Sequence, residues 1–217
     1  MNINQYITKY NNIPQGDAIS EFNHHGAQQC HDAYEIFFDF LEDIRPSRII
    51  EIGTAIGGFT RFLKFAVDNL NLSTKITSFD VIEQPQYDEI RKLGVDVIIK
   101  DMFLNYRGVD HSLIKLIQEP GLTLVLCDGG NKVQEVNLLA PFIKVNDIIM
   151  AHDYGPNEEY IQTVLLNKIW NWFEIRNRDI SRVSNQVNLI PFNQDRFQSV
   201  VWLCRQKQDY KLPPLAQ

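Results

Sequence analysis

The stretch that most limits what this chain can fold into is residues 48–64, RIIEIGTAIGGFTRFLK. Ile49, Ile50 and Ile52 form a short β-branched run that leads into Gly53, Gly57 and Gly58, after which Phe59, Phe62, Leu63, Ala66 and Leu70 recur at helical spacing. The pattern predicts strand, tight turn, helix. Glycine lets the backbone bend sharply and lets a ligand approach without a Cβ in the way. The helix directs its free N–H groups at the same point, so the turn suits the polar part of a cofactor. The glycine spacing departs from the Gly-x-Gly-x-x-Gly fingerprint of dinucleotide sites. Glu51, ahead of the first glycine, points the same way: a carboxylate there repels a pyrophosphate and attracts an ammonium.

The rest of the chain alternates strand and helix patterns. Residues 1–26 are polar and irregular and end in His24, His25 and Gly26; the two histidines read as ligands or, more simply, as exposed loop residues. A helical stripe of Cys30, Tyr34, Phe37, Phe38, Leu41 and Ile44 predicts a helix over 27–44, ended by Arg45 and Pro46. A second strand, Lys75–Asp80, ends in an acid placed to accept from a ribose diol or to cap the next turn. A short helix over 87–93 and a strand over 95–100, ending at Asp101, follow. A helix over 111–118 precedes LTLVLC at 122–127, apolar enough for a central parallel strand. Asp128, Gly129, Gly130, Asn131 and Lys132 come next, then a helix. A fifth strand over 147–151 leads to His152, Asp153 and Tyr154. Beyond it the patterns predict a helix over 158–170, a short strand over 172–175, an irregular polar segment over 177–197 and a last strand over 199–205 that buries Trp202.

This alternation, with acids at strand ends, predicts an α/β fold: a Rossmann-like, doubly wound, mostly parallel seven-stranded sheet with helices on both faces and ligands at its carboxyl edge. At 217 residues the expectation is one domain, with an irregular segment at 1–26, an α/β core at 27–205 and a tail at 206–217. A hydrophobic share of 44% and the absence of a membrane-length apolar run or basic, apolar leader predict a cytoplasmic protein. A net charge of -6 offers no basic face, so neither nucleic acid nor membrane is an expected partner; a homo-oligomer is left open. Cys30, Cys127 and Cys204 are odd in number and widely spaced, which predicts reduced, buried thiols.

Glu51, Gly53, Thr54, Gly57 and Gly58 resemble the first motif of the class I S-adenosylmethionine-dependent methyltransferases. The resemblance implies S-adenosyl-L-methionine over this turn, Asp80 on its ribose, Asp101 and Met102 or Phe103 beside its adenine, and the 27–44 helix partly covering it. It also places substrate loops in the 177–197 segment. Asp128 after the fourth strand, with His152 and Asp153 after the fifth, resembles the metal-dependent O-methyltransferases, such as the catechol and macrocin enzymes and the cephalosporin hydroxylase-like group. That likeness implies a divalent ion, Mg2+ by its oxygen donors, on Asp128, His152 and Asp153. The second pair departs from the family in holding a histidine, so His152 is ligand or catalytic base. Lys132 is similar to the lysine that serves these enzymes as base, one residue further along; a solvated lysine at a helix start is the other reading, and for Asp128 the other reading is a helix N-cap.

The expected activity is methylation of a hydroxyl on a small molecule, a sugar or natural product. Two alternatives carry different chemistry: a non-catalytic cofactor-binding or regulatory module of the same fold, and a nicotinamide-dependent oxidoreductase, which the glycine spacing and Glu51 disfavour.

Overall fold

The computed structural model describes residues 3–9 and 20–209. Two antiparallel pairings join β1 (Ile7–Lys9), β2 (Ser20–Phe22) and β3 (His25–Gly26) into a small sheet. The main sheet has seven strands: β4 (Arg48–Ile52), β5 (Lys75–Asp80), β6 (Asp96–Ile99), β7 (Thr123–Cys127), β8 (Ile148–Ala151), β9 (Leu189–Pro191) and β10 (Leu203–Lys207). Their order is β6-β5-β4-β7-β8-β10-β9, parallel from β6 to β8, with β10 antiparallel to β8 and to β9. The helices are α1 (Ala33–Ile44), α2 (Gly58–Asn69), α3 (Tyr87–Lys92), α4 (His111–Gln118), α5 (Lys132–Leu139), α6 (Glu158–Tyr160), α7 (Asn177–Val187) and α8 (Gln194–Gln198). A π-helical turn, Ile161–Leu165, continues α6.

β4 and β7 are buried along their whole length, and their alternating side chains feed two separate cores. Ile49, Leu124 and Leu126 join the aromatic-rich core formed by α1, α2 and Trp202, whereas Ile50, Ile52, Val125 and Cys127 join the core under α4, α5 and α7. Two faces, each covered by helices, explain why β7 reads as an almost continuous apolar run and β4 as one interrupted only by the buried Glu51. The winding direction reverses beside β4, which pairs with β5 on one side and β7 on the other. A ligand cleft forms outside the carboxyl ends of strands at such a reversal. The register fixes what converges there: Ile52 lies opposite Phe79 and Cys127, and Cys127 opposite Ala151, so Asp80, Asp128 and His152 leave neighbouring strand tips.

Several expected boundaries move. Residues 27–32 are not helical: Gln28 adopts a left-handed φ of 50°, and the helix begins only at Ala33. The segment before it is partly ordered, since β3 lies on the start of α2; a Cβ on Gly58 would collide with the carbonyl oxygens of His25 and Gly26. The helix expected over 158–170 stops short, and 172–175 contributes a single bridge, Ile175 to Tyr154, instead of a strand. The sixth and seventh strands are β10 and β9. The 177–197 segment is ordered as α7, β9 and the start of α8. Its polarity hides a narrow apolar stripe, since α7 buries only Ile180 and Val183, and Asp179 accepts from the Arg176 backbone to cap its start. The expected tail at 206–217 begins inside β10, and residues 210–217 lie outside the described residues, as do 1–2 and 10–19 of the N-terminal segment. Among the described residues no helix is long and apolar enough to cross a membrane.

Candidate active site

The glycine turn has the geometry its sequence requires. Gly53 and Gly57 sit at φ 95° and 82°, and a Cβ on Gly53 would collide with the Asp128 carbonyl. β4, its turn and the Asp128 loop therefore touch backbone to backbone, which only glycine permits. A small hollow lies over the turn between Gly26–Gln28 and Gly53–Phe59, with Asp128 at its edge. A larger cavity of about 490 Å³ adjoins it and is lined by Gly53, Asp80, Asp101, Met102, Tyr106 and Glu135, among others.

Glu51 lines neither. It is 1% exposed, and its Oε2 accepts from the Thr60 hydroxyl at 2.6 Å and the Ser78 hydroxyl at 2.5 Å. The expectation that it meets a ligand ammonium directly is corrected: alternation along β4 turns residue 51 to the face of Ile49, beneath the first turn of α2. Burial pushes its carboxyl up to about 7, against the two hydroxyl bonds that favour the charged form. Thr54 is likewise buried, its hydroxyl 2.6 Å from that of Ser78. Glu51 and Thr54 hold the turn from below.

Asp80 stands at the cavity rim, and all four of its acceptor positions are in use. Oδ1 accepts from the Val81 and Ile82 backbone N–H groups, and Oδ2 from Ala55 N–H at 2.8 Å and the Tyr87 hydroxyl at 2.8 Å. It thus caps its turn and pins the glycine loop. A position for a ribose hydroxyl is still within reach, because the Tyr87 hydroxyl has a second acceptor, the Ala55 carbonyl at 2.9 Å, to which its proton can turn. Asp101 also serves its own loop, accepting from Phe103 N–H and Asn105 N–H, so both of its oxygens are engaged. Met102, 2% exposed, lines the cavity, and Tyr106 stacks on Phe103 with ring centroids 5.8 Å apart.

The second constellation is assembled as expected: Asp128, His152 and Asp153 each offer a ligand atom within 4.8 Å of the others. Asp128 is not an N-cap; Asn131 caps α5 by accepting from Gln134 N–H. Asp128 Oδ1 lies 3.1 Å from His152 Nδ1, and Oδ2 accepts from Gln29 Nε2 at 3.1 Å. Asp153 takes a left-handed φ of 57°, a strain that persists only when surroundings enforce it. Those surroundings are the Trp170 indole N–H, donating to Oδ1 at 2.9 Å, and the Lys132 ammonium, 2.8 Å from Oδ2. Lys132 Nζ also lies 3.4 Å from Glu174 and 4.0 Å from Asp128.

This geometry corrects the expectation that Lys132 is a base. Burial would lower its pKa, but Asp153, Asp128 and Glu174 outweigh burial and raise it, so the ammonium stays charged. His152 is the better proton acceptor. Burial of its ring opposes protonation, yet Asp128 and Asp153 raise its pKa above the usual histidine value. In the neutral ring with Nδ1–H donating to Asp128, Nε2 is left as an acceptor; it is buried and has no partner. Trp170 and Trp202 flank the ring at 5.3 and 4.9 Å between centroids.

Sequence reasoning missed four participants. Gln29 is fully buried and joins Asp128 to the Trp202 indole N–H, which it accepts at 2.8 Å. Glu135 accepts from the Gly129 and Asn131 N–H groups under the turn that follows Asp128, and burial pushes it up to about 7. Trp170 and Glu174 complete the surroundings of Asp153 and Lys132. Only Glu135 left a signal, an acid in the first turn after a glycine-rich loop, and that signal also fits a helix-dipole partner. The three cysteines are free and buried, and His24 and His25 lie away from the cluster on β3 and the turn before it.

No family model matches the chain, and no curated protein matches it in sequence. Solved structures do match it in fold. The SAH structure of CmcI aligns with a TM-score of 0.58 at 11% identity, over 92% of this chain and 88% of that one. The Mg-SAM structure of CmcI gives 0.56 at 12%, over 85% and 76%. The CMeT domain of the citrinin polyketide synthase gives 0.56 at 10%, over 83% and 54%. The fold is that of the class I S-adenosylmethionine-dependent methyltransferases.

Proposed function

We propose that the chain is an S-adenosylmethionine-dependent methyltransferase acting on a hydroxyl of a small molecule. The observation that carries this reading is the hollow over the glycine turn with Asp128 at its edge, that aspartate being paired in turn with His152 at the next strand tip. When bound, the cofactor supplies a sulfonium methyl group, whose loss leaves a neutral thioether while the acceptor oxygen gains the methyl carbon. The chain's own residues do the rest. The turn at Gly53–Gly58 admits the cofactor's polar end to the N-terminus of α2, Asp80 offers an acceptor as Tyr87 turns to Ala55, and Met102 gives an apolar wall. The hydroxyl proton goes to His152 Nε2, and Asp128 holds the ring in the tautomer that leaves Nε2 free. A hydroxyl arriving there also satisfies a buried acceptor that otherwise costs about 1–3 kcal/mol.

A divalent ion on Asp128, His152 and Asp153 is supported by the spacing of the three groups and by the Mg-SAM structure of CmcI. The donor chemistry opposes it. All four oxygens of the two aspartates already face a donor, and an ammonium stands against Asp153. The enclosure of the cluster favours one second reading, a cofactor-binding module without turnover, since His152 is only 3% exposed.

Titration calorimetry with S-adenosylhomocysteine, then mass spectrometry of hydroxylated small molecules incubated with the labelled cofactor, tests the proposal. Binding together with a transferred methyl group is expected, with transfer lost in His152→Ala. Absence of binding overturns the assignment, and binding without any transfer across a broad panel favours the module.

A further inference from the structure

We propose that the Lys132 ammonium is the resident cation of the Asp128, His152 and Asp153 cluster, and that this chain therefore does its work there without a divalent ion. The inference rests on reading the cluster as the reaction end of a methyltransferase site. Its test does not depend on turnover.

Three observations support it. The first is occupancy. Lys132 Nζ lies 2.8, 3.4 and 4.0 Å from oxygens of Asp153, Glu174 and Asp128, with its side chain only 9% exposed. An ion bridging Asp128 and Asp153 would have to displace this ammonium or share its ligands, and two cations at that separation repel in a buried setting.

The second is the position of the lysine on its helix. Lys132 is the first residue of α5, directly after the Asn131 cap, where the positive end of the helix dipole disfavours a cation. A buried lysine at that end also loses its hydration. It is retained because the carboxylates of Asp153, Asp128 and Glu174 converge on it, as donors converge on a metal.

The third is the chemistry of the remaining donors. Trp170 and Lys132 take one oxygen each of Asp153, while His152 and Gln29 take one each of Asp128. Two of these donors, the indole and the amide, hold no position for a hard cation; they are what a carboxylate needs when no ion is present to satisfy it. The imidazole at 152 serves both acids as well, its Nδ1 lying 3.1 Å from Asp128 and 3.6 Å from Asp153.

Manganese(II) serves as the probe, followed by the loss of the free-ion electron paramagnetic resonance signal on titration with protein. The parent chain is expected to leave the signal unchanged, whereas Lys132→Ala should bind one ion per chain more than about tenfold more tightly. Adding Asp153→Asn to Lys132→Ala should abolish that binding. Lys132→Met, which keeps the buried stem, takes the same measurement if thermal melting shows that the alanine variant does not fold. Binding to the parent as tight as to the variant overturns the inference. So does a folded lysine-free variant that leaves the signal unchanged, for the lysine is then an ordinary ion pair. If neither variant folds, the parent titration decides: an unchanged signal supports the resident ammonium, and a quenched one overturns it. Failure of the parent to bind S-adenosylhomocysteine in calorimetry would sink the methyltransferase reading and leave the manganese comparison standing.

Discussion

Asp80 is engaged by its own chain before any ligand arrives, and that sets what its variants should do. Asp80→Ala removes the acceptor for Ala55 N–H and the acceptor for a ribose hydroxyl together. Loss of a charge-assisted bond here costs roughly 1.5–3 kcal/mol, so affinity for S-adenosylhomocysteine should fall by more than about tenfold in calorimetry. Tyr87→Phe should stay within about threefold of the parent, because the diol replaces the phenol as donor to Asp80. A loss in Tyr87→Phe as large as in Asp80→Ala would mean that the phenol, not the ligand, is the donor Asp80 requires. At this scale the sequence exposed what sits at a strand end and hid which atoms are free there. Asp80, Asp101, Asp128 and Asp153 look alike as letters; Asp101 serves its own loop, Asp80 its own turn together with Ala55 and Tyr87, and the last two meet an imidazole, an amide, an indole and an ammonium. The donors to Asp128 and Asp153 come from residues as far off as Gln29 and Trp170, so no local pattern could reveal them.

Among the elements, those built on periodicity were legible and those built on a compromise were not. β7 and β8 announced themselves because strands covered on both faces run apolar almost throughout, and β4 through its three isoleucines. α7 did not, since a helix with two buried residues has almost no stripe to read. β3 was invisible for another reason: its two residues matter through their backbone, which crosses the N-terminus of α2. Gly58→Ala tests that crossing. The new Cβ meets two carbonyl oxygens of β3, neither of which is the end of a flexible side chain. The expected cost is about 1–3 kcal/mol in urea unfolding, and cofactor affinity should fall as well because the hollow over the turn opens. Unfolding and affinity like the parent's would mean that β3 does not rest on the helix in solution.

For the molecule as a whole, buried acids set how stability responds to pH. Glu51 titrates near 7 when folded and near 4.5 as its ordinary value, so the native state binds the proton more tightly than the unfolded chain. Its contribution is complete below about pH 4.5 and is lost as pH rises through 7; stability falls with rising pH across that window. Glu135, also near 7, acts in the same direction. Glu51→Gln keeps an acceptor for Thr60 and Ser78 without the charge. Its melting temperature should lie near the parent's at pH 5 and exceed it at pH 8, where the stability difference is of order 3 kcal/mol, given about 1.4 kcal/mol for each pKa unit. Equal melting curves at pH 8 would show that the acid is not carried as a buried proton.

Gln29 has one further consequence, for the moment at which a newly made chain becomes competent. Its amide group spans Asp128, 99 positions downstream, and Trp202, 173 positions downstream. Asp128 directly follows β7 and Trp202 directly precedes β10, so both strands must be in place before the amide is satisfied at both ends, and β10 is made after the other described strands. Contacts of such long separation form late and slowly. A nascent chain halted before residue 202 has its glycine turn and its Asp128 already made, yet one end of the Gln29 amide still lacks its partner. Synthesis order therefore separates the part of the site present early, the glycine turn and Asp128, from the part that waits for Trp202.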